Sequence, residues 1–458
     1  MPDANSIRKE VDMLTRPHSQ FLSLIAGLAL VALGTHPVHA VPSFARQTGL
    51  PCSSCHIAFP QLNTFGRLFK LNAYTLTGLN VIEAKNASKR TTLKLDKFPP
   101  LSLMLQSSFS RTNSRIPGTQ NDNVQLPQEL SLFFAGAISP NAGAFFQLTY
   151  DGLDGTIGMD NMDVRFARNT TIGQKPFLYG TTLNNNPTVQ DAWNTSPAWG
   201  YPFTSSSISP EASAGAMVDG GLEQSVAGLG AYALYDNLVY AEGSVYRSAQ
   251  LGATVPPDAS SEGIIDGVAP YWRVALQKQW TANYLAVGSY GMVTKMYPMG
   301  VTGPYDRFSD YAADAQFENH GDNHSITVRA TWIHEKQEYD ATHPAGGTQN
   351  ATNSLNVVRI NASYLAHQVV EFTGGYFSTT GDRDMLLYAP DPIAGSRTGD
   401  PDTDGVIVEV DYMPWMNTRL LAQYVAYNKF NGASTNYDGS GRDASDNNTL
   451  YLGSWFAF

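Results

Sequence analysis

"GVIVEVDYMPWMNTRLLAQYVAYNK", residues 405–429, is the stretch whose reading decides the fold. Val406, Val408, Val410 and Tyr412 alternate with Ile407, Glu409 and Asp411; the tight turn "MPWMN" follows, and a second run leads away from it. Period two with one apolar and one polar face marks a β-strand, and two such runs joined by a short turn make an antiparallel hairpin. The alternation recurs upstream. Val358, Ile360, Ala362 and Tyr364 interleave with Arg359, Asn361 and Ser363, and Ile326, Val328, Ala330 and Trp332 with Thr327, Arg329 and Thr331.

A soluble sandwich also alternates, and three further features separate the two. The runs are about 10–15 residues long, nearer the span of tilted membrane strands than the 5–6 residues usual in globular sheets. Tight turns such as "SPNAG", "WTAN" and "NHGDN" alternate with long polar connections at 183–221, 249–268, 339–353, 382–404 and 430–446. That is the asymmetry expected between periplasmic turns and extracellular loops. The chain ends "TLYLGSWFAF", with Leu450, Leu452, Phe456 and the terminal Phe458 on one face, like the C-terminal signal of bacterial outer-membrane barrels. The fold class predicted is an all-β transmembrane barrel of about sixteen antiparallel strands, wide enough for an aqueous lumen. The strands run from 100–111 to 447–458, and Ala214–Gly221, a seventeenth candidate, is assigned to a loop so that both ends of the sheet lie on one side.

Composition agrees. The chain has 23 Tyr, 21 Phe, 7 Trp and 40 Gly and no second long apolar run, which suggests many strands and no transmembrane helix. Its 29 Lys and Arg against 40 Asp and Glu, a net charge of -11, argue against nucleic acid or an anionic membrane surface as partner.

At the N-terminus Arg8, Lys9 and Arg16 precede the apolar run "FLSLIAGLALVAL", Phe21 to Leu33, and Val38 and Ala40 suit cleavage before Val41. The run is shorter than the roughly 20 residues a spanning helix needs. Residues 1–40 are therefore expected to be a signal peptide, 41–99 a small separate segment and 100–458 the barrel. In this exported setting "TGLPCSSCHIAFPQ", residues 48–61, spaces Cys52-x-x-Cys55-His56, and the chain has no third cysteine. A disulfide closing so small a loop would staple little. Zinc normally takes four ligands, and the next histidine after His56 is His320. Covalent c-type haem uses all three residues: each thiol adds to a porphyrin vinyl group, and His56 becomes the proximal iron ligand. A redox dithiol is the alternative.

No Met and no further His lies between His56 and Pro99, so a distal ligand must come from the barrel. Met104 is the nearest candidate, pointing inward if Leu101, Leu103 and Leu105 face lipid; a lumen-packing role is its plainer reading. His320, His324, His367 or an open position are the other choices. A segment as short as 41–99 buries little surface alone, so this mostly helical unit is expected to dock at or in the barrel, at its periplasmic side or within it.

Other features invite chemistry. The loop "GDRDMLLYAPDPIAGSRTGDPDTDG" carries Asp382, Asp384, Asp391, Asp400, Asp402 and Asp404, which could gather a hard cation or simply be solvated. Within it Asp400-x-Asp402-x-Asp404-Gly405 matches the opening of a calcium loop whose twelfth position would be Asp411. Lumen-facing Arg273, Arg329 and Arg359 could meet haem propionates or form an ordinary charged lining. The 183–221 loop, with Trp193, Trp199, Tyr201 and Phe203, is expected to fold on itself, inward as a constriction.

The run "VPSFARQTGLPCSSCHIAFPQLNTFGRLFKLNAYTLTG", residues 41–78, followed by a porin-like barrel, resembles the fused outer-membrane monohaem cytochrome c-porins of iron-oxidising bacteria. The resemblance rests on Cys52, Cys55 and His56, set among Phe44, Arg46, Gln47, Phe59, Pro60, Phe65, Gly66, Arg67 and Phe69; where the family pattern has a Gly-Tyr pair, this chain reads Asn72-Ala73-Tyr74. It implies one covalent haem c, an outer-membrane location, and an Fe(II) oxidase passing electrons from extracellular Fe(II) to a periplasmic cytochrome c or other carrier. The alternatives are a solute-conducting porin with a haem plug or sensor, and a conduit with another donor or an outward current.

Overall fold

The computed structural model of the chain describes residues 42–76, 81–89, 91–97, 99–249 and 256–458. The expected signal peptide lies outside them. Two short helices come first, α1 (Pro42–Thr48) and α2 (Thr64–Leu71), with a 3-10 turn at Cys52–Ser54 between them. A hairpin of β1 (Val81–Lys85) and β2 (Thr91–Asp96) follows. The expectation of a mostly helical segment thus holds only as far as α2. Beyond it Val81–Lys85 and Thr91–Asp96 are rich in β-branched residues, and the turn between them places Lys89 at a φ of 59°.

The wall begins with β3 (Leu101–Thr112), β4 (Asn123–Ser139), β5 (Ala142–Asp151), β6 (Thr156–Ile172), β7 (Lys175–Asn184), β8 (Val226–Tyr235) and β9 (Val239–Ser248). It continues, after the short β10 (Glu262–Ile265), with β11 (Ala269–Trp280), β12 (Asn283–Met299), β13 (Asp306–His320), β14 (His324–Glu338) and β15 (Thr352–Ala366). The last strands are β16 (Val370–Gly381), β17 (Thr403–Trp415), β18 (Thr418–Lys429) and β19 (Thr449–Ala457). Consecutive wall strands pair antiparallel, β9 pairs with β11, and β19 returns to β3, where Leu103 and Phe458 exchange backbone hydrogen bonds of 2.8 and 2.9 Å. The sheet therefore closes into a barrel of sixteen strands without an edge. Each expected strand overlaps one observed strand, and Met217–Gly221 is a single irregular helical turn, not a strand. The addition is β10, which pairs with the end of β12 that projects beyond β11.

Side-chain distribution makes this a membrane barrel. Val406, Val408, Val410 and Tyr412 are 43–53% exposed, whereas Ile407, Glu409 and Asp411 between them are 5%, 2% and 0% exposed. A soluble sheet would bury the apolar face; here the apolar residues form an outer belt and the charged ones face the lumen, the arrangement a lipid solvent selects. Tight turns join the strands at one end. At two of them Asp236-Asn237 and His367-Gln368 take positive φ at both central positions, matching the strand twist as a type I′ turn does.

Two insertions fill the lumen. The segment 42–76 occupies the short-turn half, touching Glu318 beside the β13–β14 turn, Glu371 beside the β15–β16 turn and Tyr284 beside the β11–β12 turn. The connection between β7 and β8 folds inward as expected. Its Asp191 pairs with Arg273 at 2.8 Å, Trp193 donates to Tyr284 Oη at 2.6 Å, and Asp219 binds Arg359.

Candidate functional site

The Cys52–His56 loop is built by local hydrogen bonds. Pro51 starts a tight turn, Cys55 N and His56 N both donate to Cys52 O at 2.9 and 2.8 Å, and Asn63 Nδ2 donates back to the carbonyls of Ser53 and Ser54. Asn63 also caps α2 by accepting from Gly66 N at 3.0 Å, so one side chain ties the loop to the helix. Gly66 is needed for that contact: a Cβ there would stand 2.2 Å from Cys55 O. Phe44 stacks on Tyr74 at 5.4 Å and meets Phe69 edge-on at 5.1 Å, closing the two helices over the loop.

Anchors to the wall come from all sides of the barrel. Arg67 forms a bidentate pair with Glu318 at 2.6 and 3.0 Å and lies 3.8 Å over the Tyr284 ring. Tyr74 donates to Asp163 at 2.6 Å, Gln61 to Glu371 at 2.9 Å, and Gln47 to Ala135 O at 2.8 Å. Lys70 bridges to the inward loop, donating to Val189 O and Asp191 O at 2.6 and 2.7 Å. Gly143 lets this segment reach the wall, since a Cβ there would meet Ala73 O at 2.2 Å.

His56 Nδ1 lies 3.2 Å from Pro60 O. That contact makes Nδ1 the protonated nitrogen and leaves Nε2 as the one with a free lone pair, the second-shell arrangement that orients a metal-ligating imidazole. Burial pushes this imidazole down to about 4, against the pull of the Pro60 and Gln61 backbone, so it is neutral at physiological pH. Burial, and then Cys52, pushes the Cys55 thiol up to about 11. Cys52 and Cys55 are not joined in a disulfide.

Cys52, Cys55 and His56 open on a cavity of about 610 Å³ inside the barrel, and Met104 lies on its wall. That volume falls within the roughly 300–1,000 Å³ of small-molecule and cofactor sites. Met104 is 3% exposed and clusters with Phe133, Trp455, Phe59, Phe145 and Phe203. Its inward direction follows the expected strand phase. His320, His324 and His367 do not line this cavity; His320 Nε2 instead faces Glu318 at 3.1 Å. Two thiols, an oriented neutral imidazole, an inward thioether and an aromatic-walled chamber form a donor set that fits a covalently held haem.

The structure distinguishes between the alternatives left open for three other groups of residues. Arg273, Arg329 and Arg359 face the lumen but not the cavity: they are spent on Asp191 and Asp314, on Gln61, and on Asp219, anchoring the two insertions. The calcium-like run does not gather its carboxylates. From Thr403 it is strand β17, which sends Asp411 into the lumen to Arg419, while Asp402 pairs with Lys429 and Asp404 accepts from Asn428. Among the described residues no group of three or more His, Cys, Asp or Glu side chains is placed to hold a metal ion. In the acidic loop Asp384 is fully buried and accepts backbone N–H groups of Gln349, Asn350, Leu386 and Leu387, so it shapes the loop and is not solvated. Sequence reasoning also passed over Glu318, Asp163, Glu371 and Trp455. Their only signal is membership of the polar, lumen-facing phase of a strand.

No protein-family model matches the chain, and no curated protein matches it by sequence. Solved structures of similar architecture include the outer membrane channel DcaP of Acinetobacter baumannii, at 12% identity and a TM-score of 0.46, covering 78% of this chain and 96% of that one. An anion-selective porin from Comamonas acidovorans, at 14% identity and a TM-score of 0.46, covers 78% and 98%. OmpF of Salmonella typhi, at 12% identity and a TM-score of 0.41, covers 82% and 100%. The fold is porin-like. The closed ladder and the outer apolar belt carry that likeness.

Proposed function

We propose that the chain is an outer-membrane electron-transfer protein of the cytochrome-porin kind, holding one haem c inside its barrel and oxidising extracellular Fe(II) for periplasmic carriers. The observation that carries this reading is the opening of the Cys52–His56 loop, with its imidazole already oriented, onto a chamber within the lumen that Met104 also lines. Bound there, a haem supplies a one-electron iron centre within an otherwise insulating membrane. Cys52 and Cys55 would tether it covalently, and His56 and Met104 are the residues that would bind its iron.

The rest of the chain holds this geometry. The Pro60 carbonyl fixes the imidazole, Asn63 fixes the loop, and Arg67 with Glu318 fixes α2 to the wall. Glu129, Asp160 and Glu211 also line the cavity and give it an acidic character. With short turns on the periplasmic side, the segment 42–76 stands at the end nearest periplasmic partners.

The test is stopped-flow absorbance of the oxidised, detergent-purified protein mixed anaerobically with Fe(II), with dithionite as control. Rapid reduction by Fe(II) is expected. Reduction by dithionite alone, across a range of pH, would overturn the donor and leave a haem-bearing porin or a conduit with another donor. Met104→Ala is expected to change the haem spectrum and potential; an unchanged spectrum would exclude Met104 as a ligand.

A further inference from the structure

The hairpin of β1 and β2 buries no face of its own. Its register sets Ile82 opposite Leu95 and Ala84 opposite Leu93, so these four apolar side chains share one face. On that face Ile82, Leu93 and Leu95 are 53%, 41% and 47% exposed. A two-stranded hairpin without a further layer is marginally stable in water, so this apolar face calls for a cover.

Position and charge identify that cover. β3 starts at the short-turn end of the wall, and Pro100 O, just ahead of it, accepts from Ala135 N of β4 at 2.8 Å, so the hairpin joins the wall at that rim. β2 itself lies beside β4. At the same rim the outer belt ends in Leu101, Phe134, Ile138 and Phe458, 37–54% exposed, so the hairpin continues a surface that already faces lipid. Residues 81–97 carry five Lys and Arg against two Asp and Glu, in a chain whose net charge is -11. The whole-chain balance, which argues against an anionic membrane surface, is an average that this run reverses locally. Lys85, Lys89 and Lys97 are exposed. Lysines in such a setting lay their methylenes along apolar surface and hold their ammonium groups in the polar layer, where anionic lipid attracts them. Lysines beside exposed strands also deter strand addition, which disfavours the hairpin of a second copy as the occupant. We propose that the apolar face of the 81–96 hairpin lies in the periplasmic leaflet of the membrane, with its lysines on anionic phospholipid headgroups, so that it anchors the rim beside the inserted segment 42–76.

The experiment attaches a nitroxide at position 95 of the full chain through Leu95→p-acetylphenylalanine, which leaves Cys52 and Cys55 untouched, in bilayers of phosphatidylcholine and phosphatidylglycerol. Electron paramagnetic resonance compares its collisions with oxygen, which concentrates in lipid, and with a water-soluble nickel chelate. The oxygen-to-nickel ratio at 95 is expected to approach that of a nitroxide at Ile138 in the belt and to exceed several-fold that at Glu83 on the opposite face of the hairpin. A ratio at 95 equal to that at 83 would leave the face in water, and shielding from both reagents would put protein over it, a second copy or a periplasmic carrier; either result overturns the proposal. Lys85→Gln, Lys89→Gln and Lys97→Gln together are expected to lower the ratio at 95, as is omission of phosphatidylglycerol from the wild-type bilayer. A ratio indifferent to both changes would overturn the role of the anionic headgroup. Should the chain labelled at 95 fail to assemble, as heat-modifiable migration would show, the same readings at Ile82, on the same face, decide the matter. None of these readings depends on haem, so the proposal stands or falls apart from the function proposed above.

Discussion

In the barrel wall Val408 faces lipid and its neighbours Ile407 and Glu409 face the lumen, and that alternation recurs in strands such as β8, β9 and β11. In the segment 42–76 no period repeats, and each tie to the wall is a different kind of contact: an ion pair at Arg67, a phenol at Tyr74, amides at Gln47 and Gln61. The wall is held by a redundant ladder that tolerates local damage. The insertion is held by a handful of buried polar contacts, each expensive to lose, because a buried group without its partner has no water to replace it.

The sharpest way to break this contrast is Arg67→Ala. It leaves Glu318, wholly buried on β13, without its cation, and loss of one partner of a buried pair costs about 3–5 kcal/mol. The segment 42–76 is expected to become open to protease while heat-modifiable migration of the barrel is retained; equal loss of both would mean that insertion and wall fold as one unit. Gly66→Ala is the next in size. Its Cβ would press on the Cys55 carbonyl, and overpacking of this kind costs about 1–3 kcal/mol. Haem stain and the visible spectrum should weaken with the barrel intact, and an unaltered spectrum would show that the loop has room to yield.

The smallest effect is expected at the long-loop end, where Asp384 behaves like an insertion anchor in miniature. Burial pushes its carboxyl up, but the backbone N–H groups together outweigh this and hold it below the usual carboxylate range. A lowered folded value means that the unfolded loop binds the proton first. The stabilisation is therefore present above about pH 4, the ordinary aspartate value, and is lost as pH falls through the folded value. The protection factors for hydrogen exchange at Gln349, Asn350, Leu386 and Leu387, taken against the intrinsic rate at each pH, should fall on acidification through that window and not in Asp384→Asn, where the acid step is absent.

The same contrast explains what could be read without coordinates. Strands such as 405–413 and 323–338 were legible because lipid on one side and polar lumen on the other impose a strict period of two. The Cys52–His56 spacing is legible because the attachment chemistry proposed for it needs only five consecutive residues. Met104's inward phase followed from its apolar neighbours. Partnership was not legible: nothing local to Glu318 on β13 announces Arg67, and Arg273 and Arg359, read as candidates for propionates, turned out to serve Asp191 and Asp219 of the inward loop. Such pairings are fixed by closure of the barrel around its contents, which brings together residues far apart in the chain. The hairpin at 81–96 is not legible, because its two short strands carry no long alternating run to set them apart from the helical segment before them.

The measurement that tests the account most directly is the intact mass of the mature protein, produced with c-type haem maturation and unfolded before analysis, beside the Cys52→Ala, Cys55→Ala chain. The account predicts a wild-type mass higher than the polypeptide by one haem and a double variant at the polypeptide mass. A wild-type protein at the bare polypeptide mass would contradict it, leaving a porin-like barrel whose inserted segment serves some other end.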